Sequence, residues 1–221
     1  MAHLVEHLEQ YLGTIAVGWS KDADGHPQHA QVIRLVDGPI EGVTSYSTLG
    51  LSRYPLAVPG KAPVRMELLI MVRSGHFERF VPSILQQLVD GVIHQGRAPL
   101  RGEVIGPWGP LDPDTGLEAF YFGIPVYQPE AFATCEDPEG PIVISWLMPL
   151  YPAEAAFVAT HGWPALEDLL AEHDTDLTDW HRPSLPVHTP QMVAAAGTGS
   201  FTGRCLTAAQ LPCMARLPER V

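Results

Sequence analysis

The sequence predicts an α+β domain, a mixed, mainly antiparallel central sheet flanked by helices and gathered into a single domain. Two observations carry that prediction. Strand-like segments come first, a long helical segment interrupts them, further strands follow and two helices close the run, which is not the strict alternation of a βαβ chain. The apolar run within residues 63–72 is also nearly unbroken, as in a strand covered on both faces.

Each element has its own signal. Leu4, Val5, Leu8, Tyr11 and Leu12 recur at helical spacing with Glu6, Glu9 and Gln10 between them, and Gly13 closes the helix. Residues 14–19 are rich in β-formers, Lys21-Asp22-Ala23-Asp24-Gly25 is a turn, and residues 31–36 return as a second strand, so the two pair as a hairpin. Residues 43–49 and 63–72 are further strands. From Phe77 the period changes. Phe80, Val81, Ile84, Leu85, Leu88, Val89 and Val92 step by three and four, which predicts the longest helix over residues 77–94, its start drawn toward Val81 because Pro82 fits only a first turn.

Strands over residues 101–105 and 118–126 flank the proline-rich loop 106–110, and residues 142–150 form another central strand, broken by Pro149. Pro152 and Glu154 suit the first turn of a helix that runs to Thr160. His161-Gly162-Trp163-Pro164 stops that helix and starts the next, which Leu166, Leu169 and Leu170 carry to His173. Residues 1–186 are thus the domain. Residues 187–221 hold only Arg204, Arg216, Arg220 and Glu219 as charges, show little periodicity, and read as a flexible or peripheral tail.

The chain has 221 residues, with 13 basic against 25 acidic side chains and a net charge of −12. The imbalance is local: residues 102–181 contain no Lys or Arg and carry 15 Asp and Glu. Such a stretch repels phosphate backbones, which excludes nucleic acid and anionic membranes as direct partners. It suits a basic protein partner, which a negative field steers and orients. Cys135, Cys205 and Cys213 form neither a disulfide framework nor a CxxC zinc spacing, which points to a reducing, cytoplasmic home. The amino terminus lacks the basic start and apolar core of a signal peptide, and the apolar runs stop far short of the roughly 20 residues of a membrane helix.

Catalytic motifs are absent: there is no GxSxG, no GxGxxG after a strand and no GxxxxGKS. Ser145 lies on a core strand, and Cys135 sits beside Glu136 and Asp137, whose charges oppose thiolate formation. His173, Asp174, Asp176, Asp179 and His181 fall within nine residues, and His173, Asp176, Asp179 and His181 would serve a metal-dependent hydrolase. No pair among them has the HxxxH spacing of a helical site, so a solvated acidic loop is the favoured reading. Asp112-Pro113-Asp114-Thr115-Gly116 imitates the start of a calcium loop, but Leu117 and Gly123 occupy the positions that require Gly and Glu. The residues therefore imply no catalytic set, no cofactor and no metal.

One further pattern has a family likeness. Thr44-Ser45-Tyr46-Ser47-Thr48-Leu49-Gly50-Leu51-Ser52, then Arg65-Met66-Glu67-Leu68-Leu69-Ile70, resembles the suppressor-of-fused domain family. Ile144-Ser145-Trp146-Leu147-Met148-Pro149-Leu150, Glu154, His161-Gly162 and Asp179-Trp180-His181-Arg182-Pro183-Ser184 follow in the family's order. The resemblance spans about residues 1–186 and implies an α+β fold, no enzyme activity and a protein partner. For a stand-alone bacterial member it implies an immunity protein that neutralises a cognate toxin; a general regulatory interaction domain is the alternative. The structural motif would be Thr48, Gly50, Ser52, Glu67, Trp146, Pro149, Gly162 and Arg182. Glu67 is expected to pair with Arg65 on the same strand face, and Arg182 to tether the segment holding Asp176 and Asp179. Trp108, Trp163 and Trp180 are the expected aromatic anchors for the partner, with Asp112, Asp114, Asp174, Asp176 and Asp179 as acidic contacts.

Overall fold

The computed structural model describes residues 2–22, 24–73 and 75–187. Its first element, α1 (Ala2–Leu12), buries Leu4, Leu8 and Leu12, the stripe that a spacing of four places on one face. Gly13 follows at φ 98, and a Cβ there would lie 2.1 Å from the Val36 carbonyl oxygen, so only glycine lets the chain turn from helix into strand. β1 (Thr14–Lys21) and β2 (Pro27–Val36) then form the expected antiparallel hairpin, with Thr14 opposite Val36. β2 starts four residues earlier than its apolar pattern indicates: Pro27 pairs with Lys21, and the exposure of Pro27 and His29 leaves that end without an apolar alternation.

β3 (Val43–Leu49), β4 (Leu56–Val58) and β5 (Lys61–Arg73) follow, and β5 carries the long apolar run. Leu68, Ile70 and Val72 point into one core while Leu69 and Met71 point into the other, as the alternation of a strand requires. A short 3-10 turn leads into α2 (Val81–Gln95), with Pro82 in its first turn. β6 (Val104–Ile105), β7 (Ala119–Gly123), β8 (Thr134–Cys135) and β9 (Ile142–Leu150) complete the sheet, and α3 (Pro152–His161) and α4 (Trp163–Glu172) close the domain. Gly162 both ends α3 and precedes α4.

The sheet runs β1-β2-β3-β5-β9-β7-β6, with β4 added to β5 and β8 to β9. Its strand pairs are antiparallel except β5 with β9, where Arg65 lies beside Ile142 and Leu69 beside Trp146. This is the mixed, mainly antiparallel sheet in a single domain that the sequence predicts. One core packs α1, α3 and α4 on one face, and a second packs α2 on the other.

Three expectations need correction. Pro149 does not break β9: it pairs with Phe120, and its carbonyl points to the β5 side, where the β5–β9 pairing has already ended at Leu69 and Trp146, and receives Arg182 instead. The proline nitrogen faces the same way as that carbonyl, so its missing N–H removes no ladder bond. The strand expected over residues 118–126 stops at Gly123, and the one expected over 101–105 shrinks to Val104–Ile105, because Arg101 and Gly102 turn back on β7. From His188 onward, the segment read as a tail lies outside the described residues.

Candidate protein-interaction surface

The motif residues of β3 and β5 assemble around one carboxylate. Glu67 has no exposed surface, and burying a charge is costly unless every lone pair finds a donor. Its Oε2 accepts from the Thr48 hydroxyl at 2.6 Å and the Leu51 N–H at 3.2 Å, and its Oε1 from the N–H groups of Gly50 at 2.9 Å and Ser52 at 3.1 Å. Gly50, at φ 119, supplies the left-handed turn that aims these amides inward. The Thr48 hydroxyl in turn accepts the Leu68 N–H at 2.8 Å.

Arg65 is not the partner of Glu67. It holds Asp137 at 2.9 Å and Glu139 at 3.3 Å, and donates to the carbonyls of Gly140 and Ser52. Glu67 and Arg65 thus share Ser52, one through its N–H and the other through its carbonyl.

The second buried carboxylate does have a cation. Glu154 receives both Arg182 guanidinium nitrogens at 2.7 Å, with Glu154 fully buried and the Arg182 side chain nearly so. Arg182 also donates to the Pro149 and Pro183 carbonyls. Glu154 accepts the Tyr151 N–H, which fixes the start of α3, and the Leu185 N–H. The Tyr151 hydroxyl donates to the Arg182 carbonyl at 2.6 Å.

Arg182 therefore ties the closing segment to β9 and α3, through the Pro149 carbonyl and Glu154. That segment fills the gap where β5 and β9 part: Arg73 N–H donates to the Thr178 carbonyl, Leu177 enters one core and Trp180 the other.

This placement revises the expected contact residues. Trp180 is 1 % exposed, edge-on to Phe120, so it anchors the fold rather than a partner. Asp112 is buried and accepts the Asp114 N–H, while Asp114 itself is exposed. Trp108 is half-buried against the α2-side core. Trp163 is half-buried under the Arg101 guanidinium, 4.6 Å from its ring centre. Asp174 is exposed, and Asp179 is half-buried and accepts the His181 N–H. Asp176 is held by Arg73, and burial pushes its carboxyl up while hydrogen bonds from Thr178 and Arg73 outweigh this and hold it below its usual range.

The basic-free run is less negative on the surface than in the sequence. Arginines from outside it clamp six of its carboxylates: Arg97 takes Glu103, Arg65 takes Asp137 and Glu139, Arg182 takes Glu154, Arg101 takes Glu167 and Arg73 takes Asp176. Asp168 and Glu172 on α4, and Asp174 just beyond, remain exposed.

His173, Asp176, Asp179 and His181 do not converge. Among the described residues, the one trio of His, Asp or Glu groups whose ligand atoms lie within 4.8 Å of one another is Asp22, Asp24 and His26, in the exposed β1–β2 turn. Cys135 is a buried free thiol, pushed above its usual value by burial and by Asp137 and Glu136, which is no setting for a nucleophile. No helix among the described residues is long and apolar enough to cross a membrane.

The domain is thus an α/β/α sandwich whose buried Glu67, Glu154 and Arg182 hold its own loops and closing segment in place. The family model of the suppressor of fused protein (SUFU) matches residues 26–183, and the chain belongs to that family. It is 26 % identical over 167 residues to the immunity protein YqcF of Bacillus subtilis (strain 168), covering 73 % of this chain and 84 % of that protein.

Among solved structures, a SUFU homologue from Neisseria gonorrhoeae FA 1090 superposes with a TM-score of 0.67 at 17 % identity, over 85 % of this chain and 97 % of that one. The chain of a Sufu–Fu complex superposes with a TM-score of 0.64 at 13 % identity, over 83 % and 91 %. Drosophila Suppressor of Fused matches with a TM-score of 0.61 at 14 % identity, over 82 % of this chain but half of its own.

Proposed function

We propose that this chain is a non-enzymatic, protein-binding member of the suppressor of fused family, an immunity protein that neutralises a cognate toxin by occluding it. The observation that carries this reading is the likeness to the immunity protein YqcF along most of that protein's length. The net charge of −12 supports a basic partner, and the carboxylates left without arginines (Asp114, Asp168, Glu172, Asp174) together with half-buried Trp108 and Trp163 supply acidic contacts and aromatic anchors for it. Asp179 belongs at the margin of that footprint. The setting is the cytoplasm, in keeping with the free thiol of Cys135.

The test is co-expression with the toxin-like domains encoded beside this gene. Restored growth and a stoichiometric complex whose affinity falls with added salt are expected. Absence of rescue and of a complex for every such neighbour overturns the reading.

A further inference from the structure

Five large apolar side chains stand out in water among the described residues: Leu100, Ile124, Val126, Tyr127 and Val143, each between 38 % and 57 % exposed. Four of them are not scattered. Ile124, Val126 and Tyr127 continue directly from the end of β7, whose last residue, Gly123, pairs with Trp146 of β9. Val143 stands apart from them: alternating with Ile142 and Ile144, it faces the α2 side of the sheet, whereas Tyr127 packs on Trp146 on the other side. Leu100 begins the turn that the Gly102 N–H to Phe122 carbonyl and Phe122 N–H to Glu103 carbonyl bonds pin to the same end of β7. Leu100, Ile124, Val126 and Tyr127 therefore gather at the end of β7. Scattered surface apolar residues carry no message, whereas a contiguous group marks an interaction site.

The patch has an acidic border and no loose cation beside it. Tyr127 stacks against Trp146 with ring centres 5.3 Å apart, its hydroxyl accepts the Leu177 N–H, and Asp176 and Asp174 both act electrostatically on that hydroxyl. Glu130 is exposed in the same loop. The nearby arginines are each held by a carboxylate: Arg73 by Asp176, Arg97 by Glu103 and Arg101 by Glu167. Next to Tyr127, buried Gln128 finds no hydrogen-bond partner for its side chain, and neither does the Trp146 indole N–H. A loop that leaves such groups unpaired loses little when it repacks against another molecule.

We propose that Leu100, Ile124, Val126 and Tyr127 form the apolar centre of the partner-binding surface, and that its occupant is a segment of another protein presenting apolar side chains flanked by Lys or Arg. This rests on the reading of the chain as a protein-binding module. Charge selects the occupant. A second copy would bring another −12 to a border already lined by Asp174 and Glu130, whereas a basic segment meets complementary carboxylates around an apolar middle.

The test has two arms. In the first, the 15N-labelled full chain is titrated with a peptide of alternating Lys and Leu, and with its Glu-and-Leu counterpart. Saturable amide shifts confined to residues 100–103, 124–128 and 146, seen with the basic peptide alone and removed by Val126→Asp, are expected. Shifts elsewhere, or none, overturn the proposal, as does concentration-dependent dimerisation that moves the same amides.

In the second arm, Ile124→Asp and Val126→Asp are assayed against the cognate toxin, with folding checked by near-UV circular dichroism. About a tenfold or greater loss of affinity is expected. A toxin neutralised equally by both variants and wild type overturns the patch and leaves the immunity reading intact. A toxin that wild type does not bind, with the peptide still on the patch, overturns the immunity reading alone.

Discussion

Glu67 and Glu154 are both sealed from water, yet the fold satisfies them in opposite ways. Around Glu67 the donors are neutral: three backbone amides and one hydroxyl, all from the β3 end and the turn after it. Around Glu154 the principal donor is a guanidinium 28 residues further along the chain. The first arrangement uses peptide dipoles to lock a loop to the strand beside it. The second uses a full charge to lock the last described segment of the domain to β9 and α3. A nest of dipoles is tuned to the geometry of one turn, whereas an ion pair is tuned to the presence of a single residue.

That contrast orders the expected effects of substitution. Arg182→Met leaves Glu154 as a buried carboxylate without its cation and is expected to destabilise by about 3–5 kcal/mol in urea unfolding. Combining it with Glu154→Gln removes the stranded charge and recovers much of the loss, and a cycle in which the two effects simply add breaks the comparison. Glu67→Gln keeps the shape but turns an amide donor toward groups that are themselves donors, for an expected cost of about 2–3 kcal/mol, with no cation available whose removal rescues it.

Thr48→Val removes one donor to Glu67 and the acceptor for the Leu68 N–H, for about 1–2 kcal/mol. Arg73→Ala breaks a pair that water reaches and is expected to have the smallest effect of the set, most of it screened away at about 1 M salt.

The acid limb of stability sharpens the same division. Hydrogen bonds from Arg65 hold the Asp137 carboxyl below its usual range, and Asp176 is lowered against the opposing push of burial. Groups whose folded values are depressed stabilise the fold at pH above their unfolded values, about 3.9 for Asp, and that stability drains away as pH falls through the folded ones. Thermal midpoints are therefore expected to be flat from pH 7 to about 5 and to fall below about pH 4. Arg65→Gln, which removes the largest influence lowering Asp137, should make that fall shallower.

Much of this architecture is legible in the chain. The stripe of α1, the bounds of β3 and β9, and the start of α2 near Val81 follow from periodicity and proline placement, because each depends on neighbours in sequence. Glu67 stands out for the same reason, as a charge in an apolar strand. Its partner does not, because period-two spacing puts Arg65 on the same face while saying nothing of a turn that brings three amides from another strand. The surface is the least legible part. The arginines that neutralise Glu103, Glu154 and Glu167 lie outside the acidic run, so a count along the chain overstates the negative face. Ile124 and Val126 read as strand because apolar residues ordinarily seek a core; their departure from β7 into water is the mark of a site that another molecule completes.

The parallel pairing of β5 with β9 also carries a schedule. Arg65 meets Gly140 across 75 residues and Arg73 meets Asp176 across 103, so neither the middle of the sheet nor the clamp behind it can close until nearly the whole domain has been synthesised. A nascent chain cut short before Arg182 offers the ribosome-bound world two half-covered cores and a Glu154 without its counter-ion. Folding of this kind, dominated by distant contacts, is slow and waits for the whole domain, Arg182 included, to leave the ribosome.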